Sequence, residues 1–126
     1  MFFFIVEDML GIETICHIFN NYTLHTSKKL DFQSFNEARL IKMKAQRSKN
    51  LSKSDLEKVS YLKNNMNSKR KIFTYDTTKS QIIIDPNWFI GFIEGEGTFG
   101  IKTGSSLYFQ VAQKNTSQQC LNRITI

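Results

Sequence analysis

The side chains with the most chemical promise lie in the stretch Pro86–Gly97, PNWFIGFIEGEG. Two carboxylates, Glu94 and Glu96, follow one another closely there, and Gly91 and Gly95 are four positions apart. On a helix that spacing stacks the glycines on one face. Each glycine costs ~1 kcal/mol in a helix interior relative to alanine, a cost that makes sense where another backbone comes very near. Glu94 and Glu96 then fall in the last turn, where a carboxylate faces the negative end of the helix dipole at a penalty of ~0.3–1 kcal/mol. A cation beside either acid reverses that penalty. The plainer alternative is two solvated acids at a helix end.

A second pattern overlaps the first. Gly95–Gly100, GEGTFG, satisfies GxGxxG and looks like a kinase glycine loop. A dinucleotide fold needs a strand before the glycines and a helix after them, and the order here is reversed. A kinase also needs its VAIK-type lysine, HRD loop and DFG, none of which occurs. Nucleotide binding is therefore set aside.

The elements around this stretch follow from pattern. Asp85-Pro86 is a helix start, with aspartate as cap and proline at the first helical position. From Thr98 the period changes to two. Phe99 and Ile101 share one strand face, opposite Thr98, Gly100 and Lys102. Thr103-Gly104-Ser105 is a turn, after which Leu107, Phe109 and Val111 alternate with Tyr108, Gln110 and Ala112. Beyond Asn115, Leu121 and Ile124 suggest a further helix.

Upstream, Ile12, Ile15, Phe19 and Tyr22 recur at helical spacing, and Phe32, Phe35 and Ala38 repeat the pattern from Asp31, a plausible N-cap, to about Lys44. A third helix opens at Ser52, with Asp55 three residues on, and Leu51 and Leu56 have staple spacing. Leu56, Val59, Leu62 and Met66 are expected on its buried face. KMKAQRSKN between the second and third helices reads as a basic loop, residues 67–80 as a connection, and MFFFIV as a buried strand or a ragged terminus.

Composition narrows the partners. The 126 residues carry Lys+Arg 17 against Asp+Glu 11, a net charge of +6. Residues 1–27 are acidic, 28–79 hold most of the basic side chains, and 80–126 balance. Such a chain favours polyanions. No apolar run approaches the ~20 residues of a membrane span. Cys16 and Cys120 form no CxxC pair, and His17 and His25 have no metal-ligand spacing, so a zinc module or disulfide scaffold is not expected. Lys, Ile, Asn, Phe and Tyr supply 52 of the 126 residues. All five have AT-rich codons, which says something of the genome and nothing of mechanism.

FIGFIEGEG, Phe89–Gly97, resembles the signature of the LAGLIDADG homing endonucleases, and TFGIK with LYFQVAQK resembles the two strands that follow it. The resemblance extends backwards through LGIETICHIFNNYTLHTSKKLDFQSFNEARLI and LSKSDLEKVSYLKNNMN, where Tyr22, Leu24, Thr26, Lys28 and Asp31 match the family's Y-x-L-x-T-x-K-x-x-D. It implies an α+β fold of partial αββαββα repeats, with helices packed on an antiparallel sheet. On that reading residues 1–67 are the helical tail of a first repeat, 68–85 a linker, and 86–126 the head of a second. A first signature and the second repeat's remaining strands and closing helices are not found, so a truncated protein is expected.

The resemblance also implies roles. Gly91 and Gly95 are the helix-interface glycines, and Glu96 is the metal-ligand acid, in a position where the family more often has aspartate. Gln113 falls beside the active-site water, Lys28 flanks the site in preference to Lys29, and Lys114 touches the backbone. Thr98, Lys102, Tyr108 and Gln110, on the strand face away from the core, read bases; Lys69, Arg70 and Lys71, in the inter-repeat connection, are either phosphate contacts or a solvated charge run. The implied function is intron-encoded, Mg2+-dependent cleavage of double-stranded DNA, in a mitochondrion, with self-association through the signature helix. The alternative is a non-cleaving module, either an intron-splicing maturase that binds intron RNA or an inactive remnant.

Overall fold

The computed structural model describes residues 2–48, 50–73, 85–114 and 121. Among them the order is α1 (Met9–Asn21), α2 (Lys28–Ser48), α3 (Lys53–Asn64), a 3-10 turn (Asn67–Lys69), α4 (Pro86–Glu96), β1 (Gly97–Ile101) and β2 (Leu107–Val111). The class is α+β. The chain forms two compact units, residues 1–73 and 74–126.

In the first unit, α1 starts where the Asp8 carboxylate accepts the Gly11 N–H at 2.9 Å. Gly11 permits this cap: a Cβ there would lie 2.9 Å from Asp8 Oδ1 and closer still to Val6. Ile12, Ile15 and Phe19 lie on the partly covered face, while Tyr22 is outside the helix and exposed. Phe19 meets Phe32 of α2 edge-on, with ring centroids 5.6 Å apart. The fully buried side chain between those spacings is Cys16.

Burial pushes the Cys16 thiol up from its ordinary value, against the opposing pull of the Arg39 guanidinium. Below the ordinary thiol range both folded and unfolded chains keep the proton. As pH rises through that range the unfolded chain ionises first, so this contribution to stability is lost on the alkaline side. Thermal melts should therefore fall more steeply between neutral and alkaline pH for the parent than for Cys16→Ala. Parallel curves would contradict this.

Three expectations change in α2 and α3. Asp31 is not the cap of α2, which begins at Lys28; the Thr26 hydroxyl oxygen accepts the Lys28 N–H at 3.3 Å. Within KMKAQRSKN, residues 42–48 are helix rather than loop, because α2 continues to Ser48 and buries Ala45. Lysine, methionine, alanine, glutamine and arginine are all strong helix formers, and one small buried residue anchors the extension. In α3 the Ser52 hydroxyl accepts the Asp55 N–H at 3.1 Å, as the cap pattern requires, yet Leu56 is half exposed and only Leu62 is buried.

Asp31 instead works across the fold. Its Oδ1 accepts the Asn67 N–H at 2.8 Å and the Arg70 Nε–H at 3.1 Å. Arg70 Nη2 donates to Leu30 O at 3.0 Å and to Ser34 Oγ at 2.9 Å. This latch ties the first turns of α2 to the chain leaving α3. The Lys58–Glu37 pair, 3.4 Å apart, also joins α2 and α3 but lies half in solvent.

MFFFIV is not a buried strand. Residues 2–7 lie outside any described strand, and Phe2, Phe3, Phe4 and Ile5 are exposed. QIII at 81–84 and the expected final helix, apart from Leu121, lie outside the described residues.

In the second unit the Asp85 carboxylate accepts the Asn87 N–H at 2.7 Å and Pro86 occupies the first turn of α4. The helix passes into β1 without a loop, the Gly97 N–H closing on Ile93 O. A Cβ at Gly97 would sit 2.7 Å from Ile93 Cγ2 and 2.8 Å from Ile93 O, so glycine is what allows so abrupt a change of direction. At the hairpin tip Ser105 N–H bonds Lys102 O at 3.1 Å. Gly104, with φ of 91°, fills the position where a type II turn needs a positive φ.

Candidate nucleic-acid interface

The two strands pair antiparallel with Gly97 opposite Val111, Thr98 opposite Gln110, Phe99 opposite Phe109, Gly100 opposite Tyr108 and Ile101 opposite Leu107. Directly opposed residues share a face, so the register divides the hairpin in two. One face carries Phe99, Ile101, Leu107 and Phe109, with the Phe99 and Phe109 rings 5.0 Å apart. Phe99 and Phe109, with Phe89, Ile90 and Ile93 of α4, line an open, largely apolar groove that Glu94 also borders. The other face carries Thr98, Gly100, Tyr108 and Gln110.

Lys102 joins this polar face from just beyond β1. Its Nζ stands over the Tyr108 ring, 5.7 Å from the centroid. The Tyr108 ring in turn lies across Gly100, at the place a Cβ would occupy. Thr98, Lys102, Tyr108 and Gln110 are thus brought together and all face solvent. They supply a hydroxyl, an ammonium, a phenol and a carboxamide, a set able both to donate and to accept hydrogen bonds.

The same register places Glu96, immediately before Gly97, and Gln113, two residues past Val111, at one end of the hairpin. Glu96 is exposed at the C-terminal end of α4. Gln113 is partly covered, its Nε2 donating to Ala112 O at 3.1 Å, and Lys114 beyond it is exposed. Gly91 and Gly95 form an open notch: a Cβ built at either meets nothing within 4 Å. A second backbone has room to approach there.

Residues 1–39 match the family model described as LAGLIDADG endonuclease. Over those residues the chain is similar to that family. No curated protein matches the chain. The matched residues take in α1 and the first part of α2, including Lys28, which is exposed at the start of α2. Glu96 and Gln113 belong to the second unit, outside the matched residues. LAGLIDADG proteins are in general DNA-binding nucleases that use divalent metal.

Among the described residues no three His, Cys, Asp or Glu side chains converge as a metal cage. The donor available at the hairpin end is a hard carboxylate oxygen. That fits an ion such as Mg2+, which is commonly held by one or two carboxylates together with water and substrate phosphate. No helix among the described residues is long and apolar enough to cross a membrane.

Of the three basic residues after α3, Lys69 and Lys71 are exposed, whereas Arg70 turns its guanidinium inward to Asp31 with about 14% of its side chain accessible. Arg70 therefore holds the first unit together rather than offering its charge to solvent. Two contributors had no signal in sequence pattern. The Asp31–Arg70 latch joins residues 39 apart, and the seat of Tyr108 on Gly100 becomes visible only once the strand register is known.

Proposed function

We propose that the chain is a site-specific double-strand DNA endonuclease of LAGLIDADG lineage, its residues 9–67 corresponding to the closing helices of one repeat and 86–126 to the opening of a second. The observation that carries this reading is the hairpin register. It sets four polar side chains on one face of a two-stranded ribbon and a carboxylate at the end of the same ribbon. A ribbon of this width enters the major groove of B-form DNA. Gln110 is suited to adenine, through paired bonds to N6 and N7, and Thr98 opposite it to either kind of base edge.

Glu96 is the residue to hold a divalent cation, with the second carboxylate supplied by another copy packed at the Gly91–Gly95 notch. When bound, such an ion neutralises charge on the attacking and leaving oxygens of the phosphodiester. Gln113, at the same end, orients a water by hydrogen bonding. Lys69, Lys71 and Lys114 meet phosphates, fixing register without reading sequence. Lys28 adds positive charge in the first unit.

Binding to duplex DNA should weaken steeply with salt, since each phosphate contact contributes about 0.9 to the slope of log affinity against log salt. Replacing Lys69 and Lys71 together by alanine should reduce that slope by about two and weaken all sequences alike. Fluorescence anisotropy across a salt series measures it. A slope unmoved by the double variant would remove these lysines from the interface.

A further inference from the structure

Gly100, Tyr108 and Lys102 are more closely organised than an ordinary solvent-facing sheet surface demands. Glycine in a strand interior weakens it, having no side chain to pack. Here the missing side chain is replaced by a ring from across the ladder: Gly100 and Tyr108 are directly paired, and the Tyr108 ring and hydroxyl fill the volume of the absent Cβ. Tyr108 is consequently among the less exposed side chains of the hairpin, although it faces away from the apolar groove. Lys102 has a flexible four-carbon stem and lies at the tip, where the chain turns through Gly104 and Ser105. Its ammonium nonetheless stands over the Tyr108 ring, within the ~6 Å at which the ring quadrupole attracts a cation.

From this stack we infer that Gly100 and Tyr108 are positioning residues for Lys102, holding its ammonium in place on the polar face to meet a nucleic-acid phosphate. A lysine ordered in advance loses less side-chain freedom on binding. The inference rests on the nucleic-acid reading above for its ligand, but the stack itself is a property of the free chain. Any substituent at Gly100 drives the ring off its seat, and removal of the ring releases the lysine.

The test has a free-chain arm and a binding arm, both on the full chain. In proton NMR of the free chain, ring current should shift the Gly100 α-protons and the Lys102 ε-protons upfield. Tyr108→Phe should retain both shifts, while Gly100→Ala and Tyr108→Leu should lose the Lys102 shift. The cross-strand Phe99–Phe109 NOE on the opposite face reports that the hairpin persists. In the binding arm the probe is a random-sequence DNA duplex. Gly100→Ala and Tyr108→Leu should each weaken binding by about two- to fivefold, the fold-change an exposed cation–π contact supports. Gly100→Ala should not weaken it further in a Lys102→Met background.

Ordinary shifts at Gly100 and Lys102 in the parent overturn the inference. So does equal weakening by Gly100→Ala in the parent and in the Lys102→Met background. Upfield shifts in a parent that binds no duplex support the stack and sink the nucleic-acid reading instead.

Discussion

Asp31→Ala is expected to destabilise the first unit by about 2–3 kcal/mol, because it removes two hydrogen bonds and strands a largely buried guanidinium. The Asp31 and Arg70 side chains are each only 14% accessible, and the aspartate oxygen serves both Asn67 N–H and Arg70 Nε–H. Without it, Arg70 keeps Leu30 O and Ser34 Oγ but has no compensating charge. The unit has little reserve: Cys16, Ala45 and Leu62 are its only buried apolar residues among those described. Urea unfolding followed by helical circular dichroism should show a lower midpoint. Asp31→Asn, which keeps an acceptor for Asn67, should fall between. Glu37→Gln should cost at most about 0.5 kcal/mol, since the Lys58–Glu37 pair is half in solvent and such pairs are screened. Equal costs for Asp31→Ala and Glu37→Gln would show that the latch adds nothing to an ordinary surface pair.

Glu96→Gln is expected to lower Mg2+-dependent nicking of duplex DNA by about 100-fold or more, the scale on which loss of a charge-stabilising group at a reacting centre is felt. The carboxamide preserves size and shape but brings no negative charge to a hard cation. Glu96 lies in solvent at the end of α4, so the fold should tolerate the change, and duplex affinity should stay close to that of the parent. Glu94→Gln, two residues further from the hairpin, should cut activity far less. Undiminished cutting by Glu96→Gln would take this residue out of the chemistry. A parent that binds duplex and never nicks it would favour the non-cleaving alternative.

The elements most legible in the sequence are those fixed by neighbours a few residues apart. Asp85-Pro86 and Ser52 cap their helices through bonds spanning two or three residues, and strict alternation after Thr98 placed Thr98, Lys102, Tyr108 and Gln110 on one face. What escaped depends on distant partners. Asp31 reads locally as a helix cap, but its partners lie 36 and 39 residues away, beyond the reach of any periodicity. The polar composition of KMKAQRSKN concealed a helix held by one buried alanine. Leu56 fits an apolar stripe yet is half exposed, whereas Leu62 of the same stripe is buried. The apolar start, MFFFIV, leaves a buried strand and a ragged terminus open, because a strand is defined by its partner; the exposed Phe2, Phe3, Phe4 and Ile5 favour the second.

The most direct test of the account is which hairpin face meets DNA. Duplex titrated into isotope-labelled full-length protein should move the Thr98 methyl and Gln110 carboxamide signals, together with those of Lys102 and Tyr108, while leaving the Ile101 and Leu107 methyls nearly unchanged. Shifts confined to Ile101, Leu107 and the Phe99–Phe109 pair, with the Thr98 and Gln110 signals still, would contradict it.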